Sequence, residues 1–269
     1  MVADIQYCDS DPHGERYFRQ SLEKLSEAVA CFQREQPDFV VQLGDFIDRE
    51  FASFAPVAEI WNRLDMPAYH VLGNHDFLVE PEEKTKILAL LNLERGYYDF
   101  SYASWRFIVL DGNELSFYAP PESSERYAQA KHLFTRIENE HRLNAQTWNG
   151  GISHQQLEWL QQKLEYAFAR GEEVIVFCHF PVLPLDIHTL WNDRDVIAVL
   201  ERSPAVKAYI NGHNHAGNYI EHQGIHYLNI HGMVETEESN AYAIVEIYSD
   251  HLRVIGTGRE PTRILPIKK

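Results

Sequence analysis

Apolar positions follow two rhythms along the first half of the chain. In "YFRQSLEKLSEAVACFQRE" (17–35), Phe18, Leu22, Leu25, Val29 and Phe32 recur at steps of three and four, which gathers them on one face of a helix. By contrast, "FVVQLGD" (39–45) is a short continuous apolar run closed by Gly44, and "AYHVLGNHD" (68–76) is a second one closed by Gly73. A helical pattern from Val57 to Leu64 lies between them. With the apolar lead "VADIQY" (2–7), the order is strand, helix, strand, helix, strand. That alternation predicts a sheet with helices packed on it. Asp45 and Asn74 are 29 residues apart (74 − 45), about one βαβ unit, which predicts equivalent ends of parallel strands for both.

Two further strand-like runs follow, "YYDFSY" and "WRFIVLDG". Residues 113–150 then break the rhythm with "YAPPESS", a polar helix-like stretch and "NGG", and read as a lid-like insertion. "SHQQLEWLQQKLEYAF" restarts the fold, with Ser153 and Gln156 spaced as a capping box and Gly171 as a C-cap. After it come the strand "EVIVFCH" (173–179), the helix-like "RDVIAVLE", the strand "VKAYINGHNH" (206–215) and a strand-rich tail from Tyr219 to Ile255. No repeat or linker divides the chain, so residues 1–269 are expected to form one domain. Only three residues precede Asp4, fewer than the roughly five or six of a typical strand, which leaves open whether the natural chain starts upstream of Met1.

Composition narrows the function classes. The 269 residues are 45% hydrophobic, enough for a substantial core, and no run of 18 uncharged apolar residues suggests a membrane span. A formal charge of −16, from 40 acids against 24 bases, argues against a nucleic-acid groove and suits cations. The three cysteines lack CxxC spacing, so neither a disulfide framework nor a zinc knuckle is expected. A cytoplasmic location fits that usage.

The chemistry gathers where the apolar runs stop. Asp4 and Gln6, Gly44-Asp45, Gly73-Asn74-His75-Asp76, Cys178-His179 and Gly212-His213-Asn214-His215 each follow such a run. Taken singly, most have a bland explanation: Asp-x-Gln and Gly-Asp form turns, and a histidine after a buried strand is usually a hydrogen-bonded core residue. In open α/β sheets, however, ligands bind beyond the carboxyl ends of the strands, so five such clusters would converge. Their inventory of imidazoles, carboxylates and amide oxygens, without thiolate, suits manganese, iron or zinc. Seven side chains exceed one tetrahedral shell. Two divalent ions with one bridging residue are therefore expected.

These five blocks resemble those of the calcineurin-like dinuclear metallophosphoesterases. That superfamily normally opens with Asp-x-His, and Gln6 departs from it. The departure is similar to the manganese-dependent ADP-ribose/CDP-alcohol diphosphatases, which further match "ADIQY", "RYFRQSL", "VVQLGDFID", "NGGISHQQLEWL", "LWNDRDVIAVL", "GHNHAGNY" and "GMVETEESNAY" over nearly the whole chain. The resemblance implies an α/β four-layer α/β/β/α sandwich of two mixed sheets flanked by helices. It also implies Asp4, Gln6, Asp45 and His215 around one ion, and Asp45, Asn74, His179 and His213 around the other, manganese most of all. The Gln6 carbonyl oxygen would replace an imidazole. A hydroxide held between the ions would attack phosphorus in line, while His75 stabilises charge or protonates the leaving oxygen and Asp76 orients its ring.

The implied substrate is a small nucleoside diphosphate derivative such as ADP-ribose or a CDP-alcohol, split at its diphosphate bond. Arg16 stands at a matching basic position for a phosphate. His188 stands beside the substrate pocket where animal members carry Cys, and Asp76 where they more often have Glu. Cyclic-nucleotide phosphodiesterases and phosphomonoesterases use the same blocks with Asp-x-His and are the alternative enzyme class. A non-catalytic metal-binding protein is the alternative outside enzymes.

Overall fold

Each apolar rhythm becomes an element with a definite place. In the computed structural model, which describes residues 1–267, the elements run α1 (Ser21–Glu35), β1 (Val40–Gln42), α2 (Phe54–Trp61), β2 (Ala68–His70), α3 (Pro81–Lys84), α4 (Ile87–Leu90), β3 (Tyr98–Tyr102) and β4 (Trp105–Val109). Then come α5 (Glu125–Asn139), α6 (His154–Ala169), β5 (Glu173–Phe177), α7 (Asp193–Glu201), β6 (Val206–Asn211), β7 (Asn218–His222), β8 (Ile225–Asn229), β9 (Ala241–Ile247), β10 (His251–Gly258) and β11 (Arg263–Pro266).

Six strands form a mixed sheet in the order β3-β4-β5-β6-β8-β7, parallel from β4 through β8 and antiparallel at both edges. The antiparallel set β11-β10-β9 and the parallel pair β1-β2 are joined by the start of the chain. Met1 exchanges backbone hydrogen bonds with Ala243 of β9, and Val2 bonds to Val41 and Leu43 beside β1. Side-chain alternation then sorts the core. Phe107, Val109, Ile175, Phe177, Ala208 and Ile210 share one cluster with Ala3, Val41, Leu43, Val71 and Ala243. The opposite faces of β4, β5 and β6, through Ile108, Val174, Val176 and Tyr209, pack on Leu160, Leu164, Val196 and Leu200 of α6 and α7. On the other side Val2, Val40 and Leu72 pack on Leu25, Val29, Val57 and Trp61 of α1 and α2.

Three expectations are corrected locally. The chain start makes only isolated bridges, at Val2 and Tyr7, because Asp4 (φ +51°) and Gln6 (φ +43°) turn left-handed and interrupt the strand. Helix α1 begins at Ser21, so Phe18 lies ahead of it and packs with Cys8 and Val234. Ser153 caps α6 by accepting from the Gln156 amide (3.2 Å), but the Gln156 side chain does not return to Ser153. It bonds the backbone of Asp111 and the Glu114 carboxylate instead.

Within residues 113–150, α5 packs Ala130 and Ile137 with Leu115 against Trp191. The stretch after α5 is tied to the loop before α7. Asn144 Nδ2 donates to the Leu190 carbonyl (2.6 Å), Trp191 Nε1 to Gln146 (3.0 Å) and the Trp191 amide to Gly150 (2.8 Å). All three cysteines are free thiols. Among the described residues, no helix is long and apolar enough to cross a membrane.

Candidate metal centre

Parallel strands put their carboxyl ends at one edge, and there the polar blocks meet. Asp45 follows β1, Asn74 follows β2, His179 follows β5 and His213 follows β6. Backbone bonds fix their relative depth: Gly212 to the His179 carbonyl (3.0 Å), Asp4 to Gly44 (3.1 Å) and Gln6 to Asp45 (2.9 Å). All seven side chains of the expected ligand set come together, and six of them are nearly or wholly buried. Candidate ligand atoms of Asp45, His179 and His213 lie within 4.8 Å of one another, as do those of Asp4, Asp45 and His215. Asp45 belongs to both groups.

The backbone is bent to achieve this. Asp4, Gln6, Asp45 (φ +56°) and His213 (φ +70°) are all left-handed without being glycine, at a cost on the order of 1–3 kcal/mol each. The glycines of the blocks make room. A Cβ on Gly73 would overlap the Asp45 carboxylate, and one on Gly44 would overlap the His179 ring.

Hydrogen bonds on the far side of each ring fix where the lone pairs point. His179 Nδ1 donates to the Leu43 carbonyl (2.9 Å), which turns Nε2 toward the cluster. That nitrogen faces Asp45 Oδ2 at 3.3 Å, Asn74 Oδ1 at 3.1 Å and His213 Nδ1 at 3.1 Å. His213 is itself oriented by Asn149, whose Oδ1 lies 2.9 Å from Nε2. Two imidazole nitrogens, a carboxylate oxygen and an amide oxygen therefore crowd together; in the ion-free chain a proton on His179 is shared among them, and a divalent ion with nitrogen and oxygen ligands fits the same place.

The second group has the same logic with a charged backing. His215 Nδ1 donates to Glu235 Oε1 (2.6 Å), so its Nε2 turns to Asp4 Oδ1 at 3.4 Å. Gln6 corrects one expectation. Its Nε2, rather than its carbonyl oxygen, faces inward, donating to Asp45 Oδ2 (2.8 Å) and lying 3.2 Å from His215 Nε2. Oε1 is buried and has no hydrogen-bond partner. A half-turn of the amide would give that orphan an ion as its partner.

Charge follows from these contacts. Burial alone would raise the Asp45 carboxyl, but His179 and His75 hold it well below the usual carboxylate range. Burial opposes protonation of His179, yet Asp45 and Asp4 lift it to about 9. Burial likewise opposes protonation of His215, which Asp4 and Glu235 lift to about 9. His213 is driven far below the usual histidine value by burial and by the neighbouring His179.

Beside the groups, the His75 amide donates to Asp45 Oδ1 (2.8 Å). The residue that orients its ring is Asp48, not Asp76: Nδ1 lies 2.9 Å from the Asp48 carbonyl and 3.2 Å from its carboxylate. Asp76 instead accepts from the amides of Phe46 (2.8 Å), Ile47 (3.3 Å) and Gly73 (2.8 Å). It braces the turn that carries Asp45, and burial and Asp45 raise its pKa to about 7. For His75, burial opposes the charge, but Asp45 and Asp48 outweigh it and raise the ring above its ordinary value.

Arg16 lies ahead of α1, half exposed, bridged to Glu235 through its backbone and 3.9 Å from the Glu235 carboxylate. The His188 ring packs against His213 at 5.5 Å, and its amide donates to Asp186 (2.7 Å). Both flank the centre. Sequence reasoning missed Asp48, Glu235 and Asn149. Each lies inside a matched stretch ("GDFID", "GMVETEES", "NGG"), but nothing in its spacing separates it from a loop residue.

Comparison with known proteins agrees with this geometry. The model of the calcineurin-like phosphoesterase family matches residues 3–217. The manganese-dependent ADP-ribose/CDP-alcohol diphosphatase of Homo sapiens is 30% identical over 315 aligned positions, covering 100% of this chain and 92% of the relative. That of Xenopus laevis is 31% identical, covering 98% and 89%. A dimetal phosphatase from Danio rerio superposes with a TM-score of 0.90 at 29% identity, over 99% of this chain and 98% of that one.

Proposed function

The chain belongs to the calcineurin-like phosphoesterase family, a family of hydrolases, and on that premise we propose that it cleaves the diphosphate bond of small nucleoside diphosphate derivatives. ADP-ribose and CDP-alcohols are the substrates this reading names, with a nucleoside monophosphate and a phosphorylated partner as products. Support comes from relatives of that description aligned along the whole chain. In this reading Asp4, Gln6, Asp45 and His215 hold one ion, Asp45, Asn74, His179 and His213 the other, and the metal is manganese.

The observation that carries the proposal is the position of Asp45, one buried carboxylate shared by two clusters of converging candidate ligand atoms. Two ions, when bound, supply Lewis-acid charge for the phosphoryl oxygens and an activated water. The chain supplies the rest. Asp48 fixes the His75 ring through Nδ1, leaving Nε2 to hold a proton for the leaving oxygen, and the neighbouring carboxylates keep that proton on the ring. Arg16 and His188 border the substrate.

The same reading takes the three packed clusters as the interfaces of a four-layer α/β/β/α sandwich. It treats residues 1–269 as one metallophosphoesterase domain with 113–150 as a lid-like insertion, and free thiols suit a cytoplasmic setting. The test is a panel of ADP-ribose, CDP-choline, cyclic AMP and p-nitrophenyl phosphate with Mn²⁺. Turnover of the first two is expected. Turnover confined to cyclic AMP or p-nitrophenyl phosphate would move the protein to the alternative esterases, and turnover of none would leave a binding protein.

A further inference from the structure

Asn149 is wholly buried, and both of its side-chain polar atoms have partners. Both amide hydrogens are spent on backbone carbonyls, of Ile187 (2.7 Å) and Asn144 (3.2 Å). The carbonyl Oδ1 is thereby forced toward His213 Nε2 at 2.9 Å. An amide oxygen only accepts, so Nε2 must carry the ring proton and Nδ1 must present the lone pair to Asp45 and His179. The two carbonyls that orient Asn149 come from the end of the insertion and from the loop before α7. Those two segments are joined again by the Asn144–Leu190, Gln146–Trp191 and Gly150–Trp191 bonds.

We infer that Asn149 is a positioning residue for the ion held by Asp45, Asn74, His179 and His213: its Oδ1 selects the His213 tautomer whose Nδ1 faces that ion. The inference rests on the two-ion reading above. His179 needs no such device, since the Leu43 backbone already sets its tautomer. His213, in contrast, takes its orientation from the insertion. Phe180 at 4.6 Å and His188 at 5.5 Å pack on the same ring but offer its Nε2 no acceptor in that geometry.

The test is Mn²⁺ titration calorimetry on the full chain. Wild type is expected to bind two ions. Asn149→Ala should bind the second roughly 10–100-fold more weakly, the usual cost of losing a partner behind a metal ligand, and keep the first. Asn149→Asp retains an acceptor for the ring and loses the donors to the loop, so it should restore affinity to within about threefold while melting lower. Native second-ion affinity in Asn149→Ala, or equally weak binding in Asn149→Asp, would overturn the assignment. Wild type binding fewer than two ions would instead sink the two-ion reading itself. Should Asn149→Ala fail to fold, the wild-type chain loaded with ¹¹³Cd²⁺ decides by nitrogen NMR: coupling to His213 Nδ1 supports the inference, and coupling to Nε2 ends it.

Discussion

The two halves of the centre share Asp45 and little else. Asn74, His179 and His213 stand at the ends of regular parallel strands, and neutral oxygens of Leu43 and Asn149 hold their imidazoles. Asp4, Gln6 and His215 combine a left-handed chain start with a loop, and a carboxylate, Glu235, backs the imidazole. One half is preorganised by the sheet; the other is assembled from loops and carries more negative charge. A carboxylate behind an imidazole raises its basicity toward a metal and toward a proton alike, so ions at the two halves should respond to different perturbations.

The largest expected effect leaves both halves intact. His75→Asn should lower turnover by roughly 10²–10⁴-fold, as for loss of a general acid, with two ions still bound by elemental analysis. A drop under threefold would remove that role and leave the ions alone to explain the chemistry. A smaller effect separates the halves. Glu235→Gln should weaken the ion at Asp4, Gln6 and His215 by roughly 10–100-fold and spare the one at Asn74, His179 and His213. Equal losses in a two-site titration would erase the distinction drawn above.

The smallest effect is a pH trend in the ion-free chain. His215 and His179, one in each half, are both lifted to about 9 by neighbouring carboxylates after burial is overcome. A base whose folded pKa is raised stabilises the fold fully below its ordinary value of about 6.5 and loses that stabilisation as pH rises through the folded value. Melting in chelator should therefore move to lower temperature between about pH 6.5 and 9. Mn²⁺ should reverse the loss by binding the folded state. A melting temperature that climbs over this range would mean the imidazole–carboxylate pairs do not form without ions.

Residues near one another in sequence misled where those far apart did not. Asp76 follows His75 and was expected to serve it, yet the short helical turn His75–Phe77 sends the carboxylate back to Phe46, Ile47 and Gly73. Asp48 reaches the ring from another loop. Gln156 has the spacing of a reciprocal cap but finds a better buried partnership with Asp111 and Glu114. Cooperation between distant segments decides such cases, and spacing carries no record of it.

Alternating apolar runs and helical spacing were enough, from the sequence by itself, to establish strands ending in ligand-type residues. Period and polarity are local properties, and parallel strands must share an edge. Which carboxylate backs which imidazole, which end of Gln6 faces inward and how Asn149 reaches His213 were decided only by the tertiary structure. Those contacts join segments as far apart as 209 residues, for Gln6 and His215, and burial makes each polar atom take the partner that packing happens to bring.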